Sequence, residues 1–242
     1  MKSMRLLAVL AHPDDEFTCA GLIMRWIRSG HEVRLVCATK GEAGRIRNGK
    51  AKYDLHHEIT AIREEEYIRS CKHLGIHNYY FLNLIDGKTS QWDEVKALSE
   101  LQEIIDAYKP THFLSFDEYG GNGHPDHIAI SKLLCSIHLQ SKDIEFMKIS
   151  LFPPAFLDRK LMMISQNMRG RLISKACRQD LNSYKILNLT RSEFKHKMKM
   201  IQIYKSQFPD EKKRYFGQPK ILLQAFARYE CYEIENDNLS LF

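Results

Sequence analysis

The chain has 242 residues, 44% of them hydrophobic and 27% charged; this is the make-up of an ordinary globular protein and excludes collagenous, coiled-coil and disordered readings. No apolar run approaches the roughly 20 residues that span a bilayer, and the early run Leu6–Ala11 falls short of the about 7–15 residues of a secretion-signal core, so a cytoplasmic protein with no integral membrane segment is expected. The formal net charge of +6 is local: residues 190–220 hold nine Lys/Arg against three Asp/Glu, the remainder is neutral, and a solvated helix face rather than a nucleic-acid partner is expected.

In chain order, Arg5–Ala11 is continuously apolar, as a strand covered on both faces must be. Thr18–Ser29 carries apolar residues at helical spacing and closes at Gly30. Glu32–Thr39 (EVRLVCAT) is β-branched and apolar, hence a second strand. His57–Leu74 reads as a charged helix closing at Gly75, and a strand follows around Tyr79–Leu84. Trp92–Tyr108 is a helix stopped by Pro110, and Thr111–Phe116 is a fourth strand. The repeated β–α–β order predicts an α/β fold: a Rossmann-like, mostly parallel sheet with helices on both faces.

Beyond residue 145 the pattern weakens. Lys148–Phe152 is a strand ending at Pro153, Leu157–Gln179 a basic, Met-rich helix or lid-like insertion, and Tyr184–Leu189 a strand. Arg191–Tyr204 is a helix with Phe194, Met198 and Ile201 toward the core, and Leu222–Ile234 is a terminal strand pair or edge. No linker interrupts the chain. Residues 1–242 are therefore read as one domain, with a motif-rich core over 4–140 and an insertion and C-terminal part over 141–242. The six cysteines are scattered without a C-x-x-C and read as reduced core residues. A chain of this size needs no metal staple to fold, so a bound metal would be catalytic.

Ligands of open α/β sheets gather beyond the carboxyl ends of the strands. The two densest ionisable clusters stand there: His12-Pro-Asp14-Asp15-Glu16 after the first strand and His124-Pro-Asp126-His127 after the fourth. Two imidazoles and a carboxylate with an open position make a common catalytic zinc site. His12 and Asp15 can turn inward together, and Pro125 at a helix start puts His124 and His127 on one face. Asp14 is then the spare carboxylate for taking a proton from metal-bound water, and the remaining imidazole can stabilise an oxyanion. With 11 histidines in the chain a single H-x-x-H carries little weight; the joint occurrence of both clusters carries the argument. His73 and His77 straddle Gly75 and read as surface residues, and His57-Glu58 lacks the second histidine of a zincin motif.

AHPDDE over 11–16 and HPDH over 124–127 resemble the two signatures of the LmbE-like, or PIG-L deacetylase, superfamily. Thr39-Lys-Gly-Glu42-Ala-Gly44 is similar to its T-x-G-E-x-G loop, Arg63-x-x-Glu66 followed by Leu74-Gly75 to its R-x-x-E…LG helix, and Leu84-Ile85-Asp86-Gly87 to its L-P-D-G loop. Lys205-Ser206-Gln207 is similar to its H-x-S-Q element. The resemblance spans roughly residues 4–135 well and 180–235 loosely. It implies zinc-dependent removal of the N-acetyl group from an N-acetylglucosamine-type sugar or conjugate, with Fe²⁺ the alternative ion. His12, Asp15 and His127 become the metal ligands, Asp14 the general base, His124 the oxyanion or acid histidine, and Asp126 the carboxylate behind an imidazole. Arg63, Glu42 and Asp86 become candidates for gripping sugar hydroxyls, Arg63 having an ion pair with Glu66 as its plain alternative. A small amino-sugar substrate is the implied partner, and a homo-oligomer is compatible.

Three departures bear on substrate: Asn122 where a tyrosine stands in mycothiol-pathway members, Phe17–Gly21 without the usual Gly-Gly, and Tyr204 in place of histidine. The rival readings are a metal-dependent amidase or carbamoyl hydrolase acting on a non-sugar amide, and a catalytically idle sugar-binding protein.

Overall fold

The structure, a computed structural model, describes residues 3–44, 56–150, 184–208, 214–215, 218–219 and 228–234. The expected insertion over 157–179, the strand end at 151–152, residues 222–227 and Cys177 lie outside the described residues.

Seven strands form one sheet: β1 (Arg5–Leu10), β2 (Glu32–Thr39), β3 (Asn78–Leu84), β4 (His112–Phe116), β5 (Glu145–Ser150), β6 (Tyr184–Asn188) and β7 (Tyr229–Ile234). Their spatial order is β3-β2-β1-β4-β5-β7-β6. The first five are parallel, and β7 runs antiparallel to both β5 and β6. The C-terminal strand, expected over 222–234 as a strand pair or an edge, pairs on both sides and is internal, and β6 stands at the edge among the described residues. Leu6 to Leu10 are all fully buried, which explains why β1 carries no polar alternation.

Among the described residues, five helices of nine or more residues cover the sheet: α1 (Ala20–Arg28), α2 (His56–Leu74), α3 (Glu94–Tyr108), α4 (Pro125–His138) and α5 (Arg191–Ile203). They pack in two groups, α1 with α2 and α5, and α3 with α4. A 3₁₀ turn over Asp15–Cys19 precedes α1, so that helix begins at Ala20 rather than Thr18. Glu230 on β7 fastens the first group together. Its carboxylate accepts the backbone N–H groups of Gly21 (2.7 Å) and Leu22 (2.9 Å) at the start of α1, and the Lys197 ammonium of α5 (2.7 Å). Lys197 is thus buried, unlike the exposed Lys195 and Lys199 on the same helix. His73 also departs from expectation: it stacks on His196 of α5 at 3.9 Å between ring centroids, and each ring bonds the other residue's carbonyl at 2.9 Å.

Candidate functional site

Strands β1 and β4 are neighbours, and the chain order reverses between them: β2 and β3 lie to one side, β5 to the other. Crevices open at the carboxyl ends of strands at such a switch point. Residues 12–16 leave β1 there and residues 117–127 leave β4. The loops after β2 (Thr39–Gly44) and β3 (Ile85–Gly87) adjoin them.

The turn after β1 is built by its own side chains. The Asp15 carboxylate accepts the His12 N–H at 2.7 Å, and the Asp15 N–H reaches the His12 carbonyl at 3.2 Å. Asp14 between them has φ 97°, a left-handed backbone that is uncommon for a non-glycine residue and recurs at functional sites. The consequence is that the two aspartates diverge. Asp15 faces the histidines, while Asp14 Oδ1 lies 3.5 Å from the Arg63 guanidinium.

His12 Nδ1, His127 Nε2 and the Asp15 carboxylate form a triangle. The imidazole nitrogens are 3.2 Å apart, His12 Nδ1 is 3.4 Å from Asp15 Oδ2, and His127 Nε2 is 3.3 Å from Asp15 Oδ1. A tetrahedral ion with bonds of about 2.0–2.1 Å has ligand–ligand edges of about 3.3–3.4 Å, so this donor set fits one. Both rings are held from behind. His12 Nε2 lies 3.1 Å from Asp126 Oδ2 and 3.1 Å from Asp86 Oδ1. His127 Nδ1–H donates to the Gly120 carbonyl at 2.9 Å, and its ring stacks on Phe116. Such outer hydrogen bonds fix the tautomer that leaves the inward nitrogen bare.

His124 stands beside them, its ring centroid 4.7 Å from that of His12 and 5.0 Å from that of His127. The three histidines make a second candidate ligand group, and His12 with Asp86 and Asp126 a third. His124 Nδ1, however, accepts the Asp126 N–H at 3.2 Å as the N-cap of α4. In the neutral ring the proton is then on Nε2, a donor rather than a ligand.

Charge follows the same pattern. Burial pulls the His12 imidazole down, but Asp126, Asp15 and Asp86 outweigh it and raise it well above its ordinary range. Burial pushes Asp15 up, yet His127 and His12 outweigh that and hold it well below the usual carboxylate range. Asp14 is raised to about 6, by burial first and against the pull of Arg63. His124 is lowered by burial and by the neighbouring imidazoles of His12 and His127. Four carboxylates (Asp14, Asp15, Asp86 and Asp126) meet one guanidinium here, an excess of negative charge that suits a cation.

The residues expected to meet substrate are placed differently from one another. Arg63 is only 4% exposed; it donates to the Pro13 carbonyl and faces Asp14. Its expected alternative partner, Glu66, instead accepts from the N–H (2.8 Å) and hydroxyl of Ser206, which explains the pairing of the two motifs that carry them. Glu42 is half-buried and accepts the Asp86 N–H at 2.8 Å. Asp86 is buried, with one oxygen toward His12 and the other accepting the Ala43 N–H at 2.9 Å. The Asn122 side chain lies outside the described residues.

Two groups to which the sequence assigns no role support the site. Glu16, fully buried, accepts the Asp14 N–H at 3.1 Å and the hydroxyls of Ser70 and Tyr204. Burial raises it to about 7 although both hydroxyls pull the other way. Tyr204, noted only as a departure from the family pattern, is therefore tied to the turn that carries Asp14. Asp117 accepts the N–H groups of Tyr119 (3.0 Å) and Gly121 (2.7 Å), shaping the turn whose Gly120 carbonyl holds His127. An acidic residue directly after a buried strand was the available signal.

A protein-family profile described as PIG-L: GlcNAc-PI de-N-acetylase matches residues 7–138. A 1D-myo-inositol 2-acetamido-2-deoxy-alpha-D-glucopyranoside deacetylase from Mycobacteroides abscessus is 32% identical over 151 residues, 53% of this chain and 53% of that protein. A probable N-acetyl-alpha-D-glucosaminyl L-malate deacetylase 2 from Bacillus subtilis is 37% identical over 127 residues, 51% of this chain and 56% of that protein. The chain spans about half the length of these relatives. Among solved structures, the N,N'-diacetylchitobiose deacetylase of Pyrococcus horikoshii superposes with a TM-score of 0.64 at 21% identity, covering 96% of this chain and 84% of that one. The 4-carboxy-2-hydroxymuconate hydratase of Pseudomonas putida superposes at 0.68 with 15% identity, covering 98% of each chain. At such identities the likeness is one of fold, and two unlike reactions share it.

Proposed function

The chain belongs to the PIG-L family, and from that footing we propose that it is a metal-dependent hydrolase removing the N-acetyl group from an N-acetylglucosamine-type sugar or conjugate, with acetate and a free amine as products. The observation that carries this reading is the His12–Asp15–His127 triangle with ligand-length edges beside a separately held Asp14. His12, Asp15 and His127 are assigned as the ligands of one divalent ion. A mixed imidazole and carboxylate set favours Zn²⁺, with Fe²⁺ as the alternative. An ion held there would supply polarisation of an acetamide carbonyl and a water acidic enough to lose a proton near neutral pH.

Asp14 receives that proton. Its left-handed backbone turns it out of the triangle, and burial keeps it basic enough for the task. His124, with its proton on Nε2, donates a hydrogen bond to the developing oxyanion and keeps that proton, while the proton taken up by Asp14 passes to the leaving amine. Asp126 orients His12. Arg63, expected to grip sugar, is reassigned as the anchor of Asp14 because it is covered and faces inward; Glu42, half-buried at the crevice edge, remains the sugar contact. The whole chain is read as one domain acting in the cytoplasm on a small amino-sugar conjugate.

The test is acetate release. Zinc-loaded protein, offered N-acetylglucosamine conjugates of inositol, malate and a second sugar, should yield acetate and primary amine in equal amounts from at least one. Asp14→Asn should keep its metal while kcat falls about 10²–10⁴-fold. Acetate from none of them would overturn the reading.

A further inference from the structure

We infer that Asp86 is a positioning residue that fixes the ring of His12, rather than a contact to the sugar. The inference rests on the reading of His12 as a metal ligand through Nδ1. Asp86 Oδ1 lies 3.1 Å from His12 Nε2, and Oδ2 accepts the Ala43 N–H at 2.9 Å. Both oxygens are thus engaged inside the protein, and the residue is 8% exposed. The backbone of the same loop is tied as well. The Asp86 N–H donates to Glu42 Oε1 and the Gly87 N–H to Asp126 Oδ2, each at 2.8 Å. The loops after β2 and β3 are in this way stitched to each other and to the second carboxylate on His12.

The chemistry follows from proton counting. Nε2 carries at most one proton, and two carboxylate oxygens stand at 3.1 Å from it. With an ion held at Nδ1 the one remaining ring proton is on Nε2, because a bare Nε2 there would set a lone pair against two anions. Asp126 alone is a weaker hold. Its Oδ1 is buried with no partner among the described residues, and its Oδ2 is shared between His12 and Gly87. Asp86 supplies a second wall against which the ring cannot turn.

The experiment compares stripped wild-type protein, Asp86→Asn and Asp86→Glu in zinc titrations against a chromophoric chelator, with KM and kcat measured on any substrate that releases acetate. The expected result is a zinc affinity weakened about 10–100-fold in Asp86→Asn, the range for loss of an outer partner of a ligand. The stoichiometry should stay at one, KM should be unchanged, and excess zinc should restore kcat. Asp86→Glu keeps the charge but misplaces the oxygens, and should also bind zinc more weakly; it answers the question if the asparagine variant does not fold. Wild-type zinc affinity with a raised KM in either variant would make Asp86 a sugar contact and overturn the inference alone. Wild-type protein that binds no ion would overturn the inference together with the metal-site assignment.

Discussion

Gly41 offers a sharp test of how the loop after β2 and the site depend on each other. Its φ is +71°, and a Cβ built there would lie 2.2 Å from Nε, 2.7 Å from Cζ and 2.9 Å from Cδ of Arg63. Gly41→Ala therefore carries two separable costs. The left-handed backbone costs an L-residue about 1–2 kcal/mol. The guanidinium must also move, giving up its bond to the Pro13 carbonyl and its place beside Asp14; a hydrogen bond from a charged group contributes about 1.5–3 kcal/mol. The single substitution should thus destabilise the protein by about 2.5–5 kcal/mol in urea unfolding, seen as a lower midpoint at constant slope. In an Arg63→Ala background the second cost disappears and about 1–2 kcal/mol remains. An equal cost in both backgrounds would show that the loop does not rest on Arg63, and would also remove the reason given for the anchoring of Asp14.

Three further outcomes follow from the geometry. Asp15→Asn should lose metal on dialysis and regain part of its activity with added zinc, whereas Asp14→Asn should keep its metal; exchanged phenotypes would reverse the two roles. Burial pushes Glu193 up, but its bonds to Arg25 and Arg28 outweigh this and hold it at about 2, so its contribution is complete above about pH 4.5 and is lost as pH falls toward 2; thermal midpoints of Glu193→Gln should lack that acid-limb loss while the helix cap at Thr190 survives. Lys195 and Lys199 are exposed but Lys197 is committed to Glu230, and fluorescence anisotropy at physiological ionic strength should show no tight duplex DNA binding; a steep salt-dependent affinity would contradict this.

The parts of the fold written locally were legible. β2 runs over Glu32–Thr39 as its β-branched pattern requires, and α4 begins at Pro125, where proline suits a first helical turn. Both signatures reach one side of the sheet because AHPDDE directly follows β1 and HPDH ends the loop that leaves the neighbouring parallel strand β4. The unread parts join residues far apart in sequence. Lys197 looked like one more cation of a basic helix; its partner Glu230 is 33 residues away, on a strand that inserts between β5 and β6. Tyr204 meets Glu16 only because α5 packs on α1 and α2. His73 looked solvated until α5 supplied a stacking partner. The direction of Asp86 was equally hidden, since the L-I-D-G pattern places the loop but does not say which way its carboxylate turns.

The central claim is that the triangle at the β1–β4 edge holds one divalent ion that is required for cleavage of an acetamide. Metal returned stepwise to stripped protein, with acetate release from an N-acetylglucosamine conjugate followed at each step, tests it directly. Release should rise in proportion to added zinc and level off at one ion per chain. Release that persists undiminished in fully stripped protein would contradict the account.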